Sequence, residues 1–255
     1  MYGRGYGSPG MGFGPMLTPP IVQQLLIANG IVFFLQVIFP GFDRLAALTP
    51  ELVWRAGFVW QPFTYMWLHG GFAHIAMNMF VLWMFGSQLA MAWGPQRFLR
   101  YYLLCGVGAG VIIATVPYLL VLLGIAPAFT LKIHTVGASG AIYGVLLAYS
   151  LTWPDRTIML IFPPVAFRAI WLIPVLFFME IGFGGGNISH VGHLGGIVVG
   201  WLYLRHRGGP AADRLPSWEQ IKFRFRRWRM RRRLRAVQYQ EWEEARRREH
   251  DRRYH

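Results

Sequence analysis

The sequence predicts an all-α, polytopic membrane protein built as a six-transmembrane-helix bundle. Three observations predict it. Of 255 residues, 55% are hydrophobic and the mean hydropathy is +0.36, too apolar for an ordinary soluble domain. Charge is confined, because 17 of the 25 Lys and Arg lie from Arg205 onward. The remainder divides into apolar runs close to the roughly 20 residues that a ~30 Å hydrocarbon core requires of a helix.

The elements follow in order. Residues 1–20 are rich in Gly, Pro and Met, carry one basic side chain, Arg4, and read as a disordered cytoplasmic lead with no cleavable signal. Spans are expected at about 21–39, 69–91, 98–123, 137–153, 169–183 and 189–206, the first serving as an uncleaved insertion signal. Polar breaks separate them: Asp43, the run "WGPQRFLR", Lys132, Pro154-Asp155-Arg156 and "GFGGGN". Segment 41–68 is no clean span, since Asp43, Arg44, Glu51 and Arg55 alternate with Trp54, Phe58 and Trp60. Aromatic rings beside charges suit headgroup depth, so 41–68 is expected as a partly helical loop on the outer membrane surface. Residues 21–206 then form one membrane domain, and 207–255 a basic cytoplasmic tail.

Basic residues orient the bundle. Six spans put Arg4, Arg97, Arg100, Arg156, Arg168 and the 17 tail residues on one face, and Arg44, Arg55 and Lys132 on the other. The positive-inside rule places both termini in the cytoplasm, and the cell (inner) membrane is the expected location. In the tail, Trp218, Ile221, Phe225 and Trp228 recur at helical spacing among arginines. That pattern suits a basic amphipathic helix on anionic lipid headgroups, or a solvated charged helix; nucleic acid is not an expected partner.

Polar side chains within spans are costly and point to function. They are His69, His74 and Asn78 on span two, Ser139 on span four, Glu180 on span five, and His190 and His193 on span six. Spans two, four and six all begin on the outer face, so those sets share one depth. Ser139 lies in the stretch "HTVGASGAIYG", between Gly137 and Gly140 and ahead of Tyr143. A serine in a first helical turn sits among backbone N–H groups that lack helical partners, which favours developing negative charge. His74 and Asn78, four apart, share a helix face and could both donate to one point. Gly140 and Gly144 on span four, and Gly192, Gly196 and Gly200 on span six, repeat at four, a pattern that lets helices touch backbone to backbone. Contact there would bring Ser139 to His193, and a serine beside a histidine base is a minimal activated nucleophile.

These blocks, "WQPFTYMWLHGGFAHIAMNMF", "GASGAIYG" and "SHVGHLGGIVVG", resemble the rhomboid family of intramembrane serine proteases over about residues 50–206. The resemblance implies a six-helix core with Ser139 as nucleophile and His193 as general base, a dyad without a third acid. It implies oxyanion stabilisation by His74, Asn78 and the Ser139 backbone N–H. Tyr143 matches the aromatic packed on the base, and His69 a loop-stabilising histidine. Span five matches a helix flanking substrate entry. The chain departs from the pattern at Trp60-Gln61-Pro62, where many relatives carry Trp-Arg, which leaves the loop's salt-bridge details open.

The expected function is therefore a serine endopeptidase that cleaves transmembrane segments of other membrane proteins near the outer face, with no cofactor and no metal. An inactive client-binding relative is the first rival, disfavoured by the presence of both Ser139 and His193. A small transporter is the second, disfavoured because the polar residues stop at one depth. His190 with His193 makes only two potential ligands, too few for a zinc site. Cys105 is expected as a buried small residue. His134 is expected in a loop with no derived role, and Glu180 as a snorkelling or hydrogen-bonded group.

Overall fold

The computed structural model describes residues 14, 15, 17–159, 164–183 and 190–207, together with 222, 226, 227 and 230. Most of the N-terminal lead and of the basic tail, together with Ser189 and the side chain of Glu180, lies outside the described residues. Residues 1–212 form one compact unit and 213–255 a second.

The bundle is helical throughout its apolar body. Helix α1 (Pro20–Ile38) starts on a proline, whose missing N–H costs nothing at a first helical position. It buries Val22, Leu25 and Asn29, spaced three and four apart, and leaves Ile27, Ile31, Phe34 and Val37 exposed. The loop after it folds into three short helices, α2 (Phe42–Ala46), α3 (Pro50–Arg55) and α4 (Gln61–Thr64), as its mixed aromatic and charged sequence predicts. Span two begins at Phe72, as α5 (Phe72–Val81), and continues through a widened π turn (Leu82–Gly86) into α6 (Ser87–Trp93). His69 thus stands in the loop ahead of the helix rather than on it. Helix α7 (Pro95–Leu122) follows, then α8 (Ser139–Thr152), α9 (Leu172–Phe183) and α10 (His190–Arg207).

By length and composition, α1, the α5–α6 run and α7 can each cross a membrane, while α8 and the stretch around α9 are shorter apolar helices. Helix α9 faces outward over much of its surface, with Phe178 75% exposed. Between α8 and α9 lies a two-stranded antiparallel ribbon, β1 (Thr157–Met159) and β2 (Ala166–Arg168), which the apolar pattern did not predict. Arg156 at its base donates to Gln88 on α6 at 2.7 Å.

Helix α8 is the centre of the packing, with ten of its 14 residues buried. It presses on α7 and α10 through glycines. A Cβ on Gly196 of α10 would overlap the backbone carbonyl of Gly140, and one on Gly144 would lie 2.5 Å from Cys105 Sγ. The small-residue repeats of spans four and six do meet. Cys105 is fully buried in that seam, as expected. Tyr101 crosses it to donate its hydroxyl to the Gly144 carbonyl at 2.7 Å.

Gly196→Ala is expected to force α8 and α10 apart and destabilise the protein by about 1–3 kcal/mol, as overpacking does. Gly30→Ala on α1, where an added methyl would meet nothing within 4 Å, is expected to leave the midpoint unchanged or raised. Paired thermal melts in one detergent would distinguish a packing seam from a general intolerance of added methyls.

Candidate functional site

The site lies at the end of the bundle where α5, α8 and α10 begin. Ser139 is the first residue of α8. The chain reaches it through Gly137, whose φ of +129° lies in the region that side chains disfavour and glycine tolerates. The Gly137 N–H donates to the Tyr65 carbonyl at 3.0 Å, and the Tyr65 hydroxyl donates to Gly106 O at 2.8 Å. One tyrosine thereby fixes the approach to Ser139 to α7.

His193 is on the first turn of α10, and its Nε2 lies 2.8 Å from Ser139 Oγ. The glycine seam produces this proximity, because the same α8–α10 contact that needs Gly140 and Gly196 brings the two first turns together. Tyr143, one turn beyond Ser139, stacks on the His193 ring with centroids 4.2 Å apart and planes 13° apart. That ring–ring contact limits the orientations of the imidazole.

His74 approaches from α5. Its Nδ1 accepts the Gly70 N–H at 3.2 Å. In the neutral imidazole the proton then resides on Nε2, which becomes a donor. That edge lies against Gly137, two residues before the serine, since a methyl there would sit 2.9 Å from His74 Nε2 and 3.7 Å from Ser139 Oγ. Asn78 lies one turn further, 7% exposed, and donates one amide hydrogen to the His74 carbonyl at 3.0 Å. Its second amide hydrogen makes no hydrogen bond given among the described residues. His69 is 3% exposed and edge-on to His74 at 5.2 Å. Burial, with His74 beside it, lowers its pKa to about 4, so the imidazole is neutral at ordinary pH. Neither ring nitrogen of His69 makes a well-formed hydrogen bond among the described residues, although the Trp67 backbone is near enough to offset part of that lowering. Its hold on the loop runs through its backbone, which Gln36 of α1 grips on both sides.

Three connections went unread in the sequence. His134 has a partner: its Nδ1 lies 2.6 Å from Thr49 Oγ1, next to a two-way backbone bridge between Leu48 and Thr135. That bridge joins the loop of α2, α3 and α4 to the segment leading into Ser139. Gln61, at the departure from the Trp-Arg pattern, is fully buried; its Oε1 accepts the Thr49 N–H at 3.0 Å and its Nε2 donates to Leu45 O at 3.4 Å. A neutral amide thus holds the loop here without an ion pair. Gln36 and Asn29, both on span one, were also passed over, although a polar residue in an apolar span is the available signal. His190 faces Phe177 at 6.3 Å and stands one turn before His193.

Comparison with known proteins identifies the family. A family model described as the Rhomboid domain matches residues 56–207. The chain belongs to the rhomboid family. It is 32% identical to the mitochondrial rhomboid protein 1 of Saccharomyces cerevisiae over 142 residues, 53% of this chain and 38% of that protein. It is 31% identical to the rhomboid protease GluP of Bacillus subtilis over 209 residues, 76% of this chain and 36% of that one. An Arabidopsis thaliana rhomboid-like protein 1 is 28% identical over 191 residues, 69% of this chain and 44% of that protein. The chain spans less than half the length of these relatives. It is a multi-pass membrane protein of the rhomboid fold.

Gly137→Ala is expected to displace His74, because the added methyl meets its ring and the backbone angle disfavours any side chain. The expected result is slower labelling of Ser139 by a fluorophosphonate in protein that remains folded. The labelling rate per folded molecule, set beside a thermal melt of the same sample, checks this.

Proposed function

We propose that this rhomboid is an intramembrane serine endopeptidase working through a Ser139–His193 dyad. The observation that carries the reading is the 2.8 Å contact between Ser139 Oγ and His193 Nε2 at the start of two helices locked together by glycine. Substrates are transmembrane segments of other membrane proteins. A helix in lipid keeps its carbonyls internally bonded, so the scissile peptide must unwind before it can be attacked.

The steps balance without a cofactor. Ser139 Oγ attacks the scissile carbonyl carbon while its proton passes to His193 Nε2. The carbonyl oxygen becomes an oxyanion, met by the His74 Nε2–H, the free Asn78 amide hydrogen and the Ser139 backbone N–H. As the tetrahedral species collapses, the C–N bond breaks and His193 returns the proton to the leaving amine. Water, activated by the same histidine, hydrolyses the acyl-enzyme and regenerates Ser139. Helix α8 runs 14 residues from Ser139 to Thr152, about 21 Å, so the serine lies several Å inside a ~30 Å core, and water enters from the outer side.

The positive-inside distribution supports cytoplasmic termini in the cell membrane, with 21–206 as the protease domain and 207–255 as a tail on anionic headgroups.

Ser139→Ala and His193→Ala should each abolish cleavage of a model transmembrane substrate. The double variant should fall no further, because both residues act in one step. Substantial cleavage by folded Ser139→Ala protein, or fluorophosphonate attachment at another serine, would overturn the reading.

His74→Ala and Asn78→Ala should each slow turnover, by up to about 10²–10³ for one well-placed donor. If these side chains only hold helices together, melting temperature will drop while turnover per folded molecule stays at the wild-type level.

A further inference from the structure

We propose that Gln36, on the first span, is a positioning residue that sets the tautomer and aim of His74; the inference rests on the oxyanion role proposed for that histidine. Gln36 touches neither Ser139 nor His193. It acts through one peptide group.

The side-chain amide of Gln36 is fully committed. Its Nε2 donates to Asp43 Oδ1 at 2.8 Å and to the His69 carbonyl at 3.2 Å, and its Oε1 accepts the His69 N–H at 2.9 Å. Asp43 accepts only, so it fixes which end of the amide is nitrogen and rules out the flipped orientation. The His69 carbonyl and the Gly70 N–H belong to the same peptide group, which is planar. Holding the carbonyl therefore sets the direction of the N–H at the other end. That N–H is the donor to His74 Nδ1 at 3.2 Å. The chain of contacts runs from Asp43 through Gln36 and the His69–Gly70 peptide to His74, and leaves the proton on Nε2, the nitrogen that lies against Gly137. Dipoles aligned in such a chain polarise one another in the same sense.

Around this peptide the loop is held by burial of Leu68 and His69 and by the Ile75 N–H, which donates to the Gly71 carbonyl at 3.1 Å, and neither sets the direction of the Gly70 N–H. Gly70 and Gly71 carry no side chain, and the φ of Gly71 is +150°. Two successive glycines have wide conformational freedom, so the Gly70 N–H would otherwise sample many directions. If it turned away, His74 could carry its proton on Nδ1 and present a bare acceptor to the oxyanion, which repels it. A donor of catalysis would become an obstacle with no change in the residue itself.

The test is a double-mutant cycle on the full chain, read by fluorophosphonate labelling of Ser139. There phosphorus takes the place of the carbonyl carbon, fluoride leaves, and the phosphoryl oxygen occupies the oxyanion position. Gln36→Met keeps length and removes the amide. It is expected to lower the maximal labelling rate about tenfold, less than the 10²–10³ for removing a donor outright, with half-saturation within about twofold. In a His74→Ala background the same substitution is expected to cost nothing further, because the group it acts on is gone. Gln36→Glu, which can still accept from His69 but cannot donate to its carbonyl, should not rescue the rate. Should Gln36→Met fail to fold, Asp43→Ala frees the amide to rotate and is expected to show the same coupling with a smaller loss. A lower melting temperature with an unchanged rate per folded molecule would overturn the proposal, since Gln36 would then merely tie α1 to the loop. Equal losses with and without His74 would overturn it too. A reactive Ser139→Ala protein would instead refute the dyad; an inert one beside a fully reactive Gln36→Met protein would refute this inference alone.

Discussion

Backbone contact between α8 and α10 is the constraint on which the rest of the structure depends. Within lipid, helices gain nothing from hiding apolar surface, so they associate by close packing and by interhelical polar contacts. Here the approach is close enough that a single methyl on Gly196 would overlap the Gly140 carbonyl. That separation is set by two peptide backbones, which are stiffer than side chains. The first turns of the two helices inherit the precision, and Ser139 and His193 stand on those turns. Tyr143 and Tyr101 then bind the seam from either side, one by stacking on the imidazole and the other by donating to Gly144.

The α5 side of the site is built differently. No glycine seam presses α5 onto α8, and His74 is oriented through a glycine loop by hydrogen bonds that begin on α1. Rigid packing fixes Ser139 and His193, the proposed nucleophile and base, while a polar relay fixes a proposed oxyanion donor. The surface loop joins the two systems. Leu48 bridges Thr135 just before the serine, Thr49 meets His134, and Gln61 supports Thr49 from beneath. A segment that looks peripheral by sequence is therefore tied to the approach to Ser139 at several points.

What the sequence disclosed and what it withheld divide along physical lines. Apolar run length reflects bilayer thickness, so the bounds of the long helices were legible to within a few residues. Glycine spacing reflects helix geometry, so the α8–α10 contact and the meeting of Ser139 with His193 were legible too. Gln36 was not, because its contacts with His69 are to main-chain groups 33 residues away and any amide in an apolar span looks alike in one dimension. The ribbon of Thr157–Met159 with Ala166–Arg168 was missed because three-residue strands leave too short a pattern to register as alternation. His134 looked idle for the same reason as Gln36: its partner, Thr49, lies 85 residues away on the surface loop.

Helix α8 is short for a bilayer, with 14 residues, about 21 Å, against 19 residues, about 28 Å, for α1. A short helix that faces lipid has to be matched by tilt or by local thinning, at a cost of fractions of a kcal/mol per Å. Ten of the 14 residues of α8 are buried, so its neighbours and not hydrocarbon surround it. Mismatch with the bilayer therefore does not act on α8 as it does on a lipid-facing helix. Its length is free to be set by where its first turn must stand, and that turn carries Ser139.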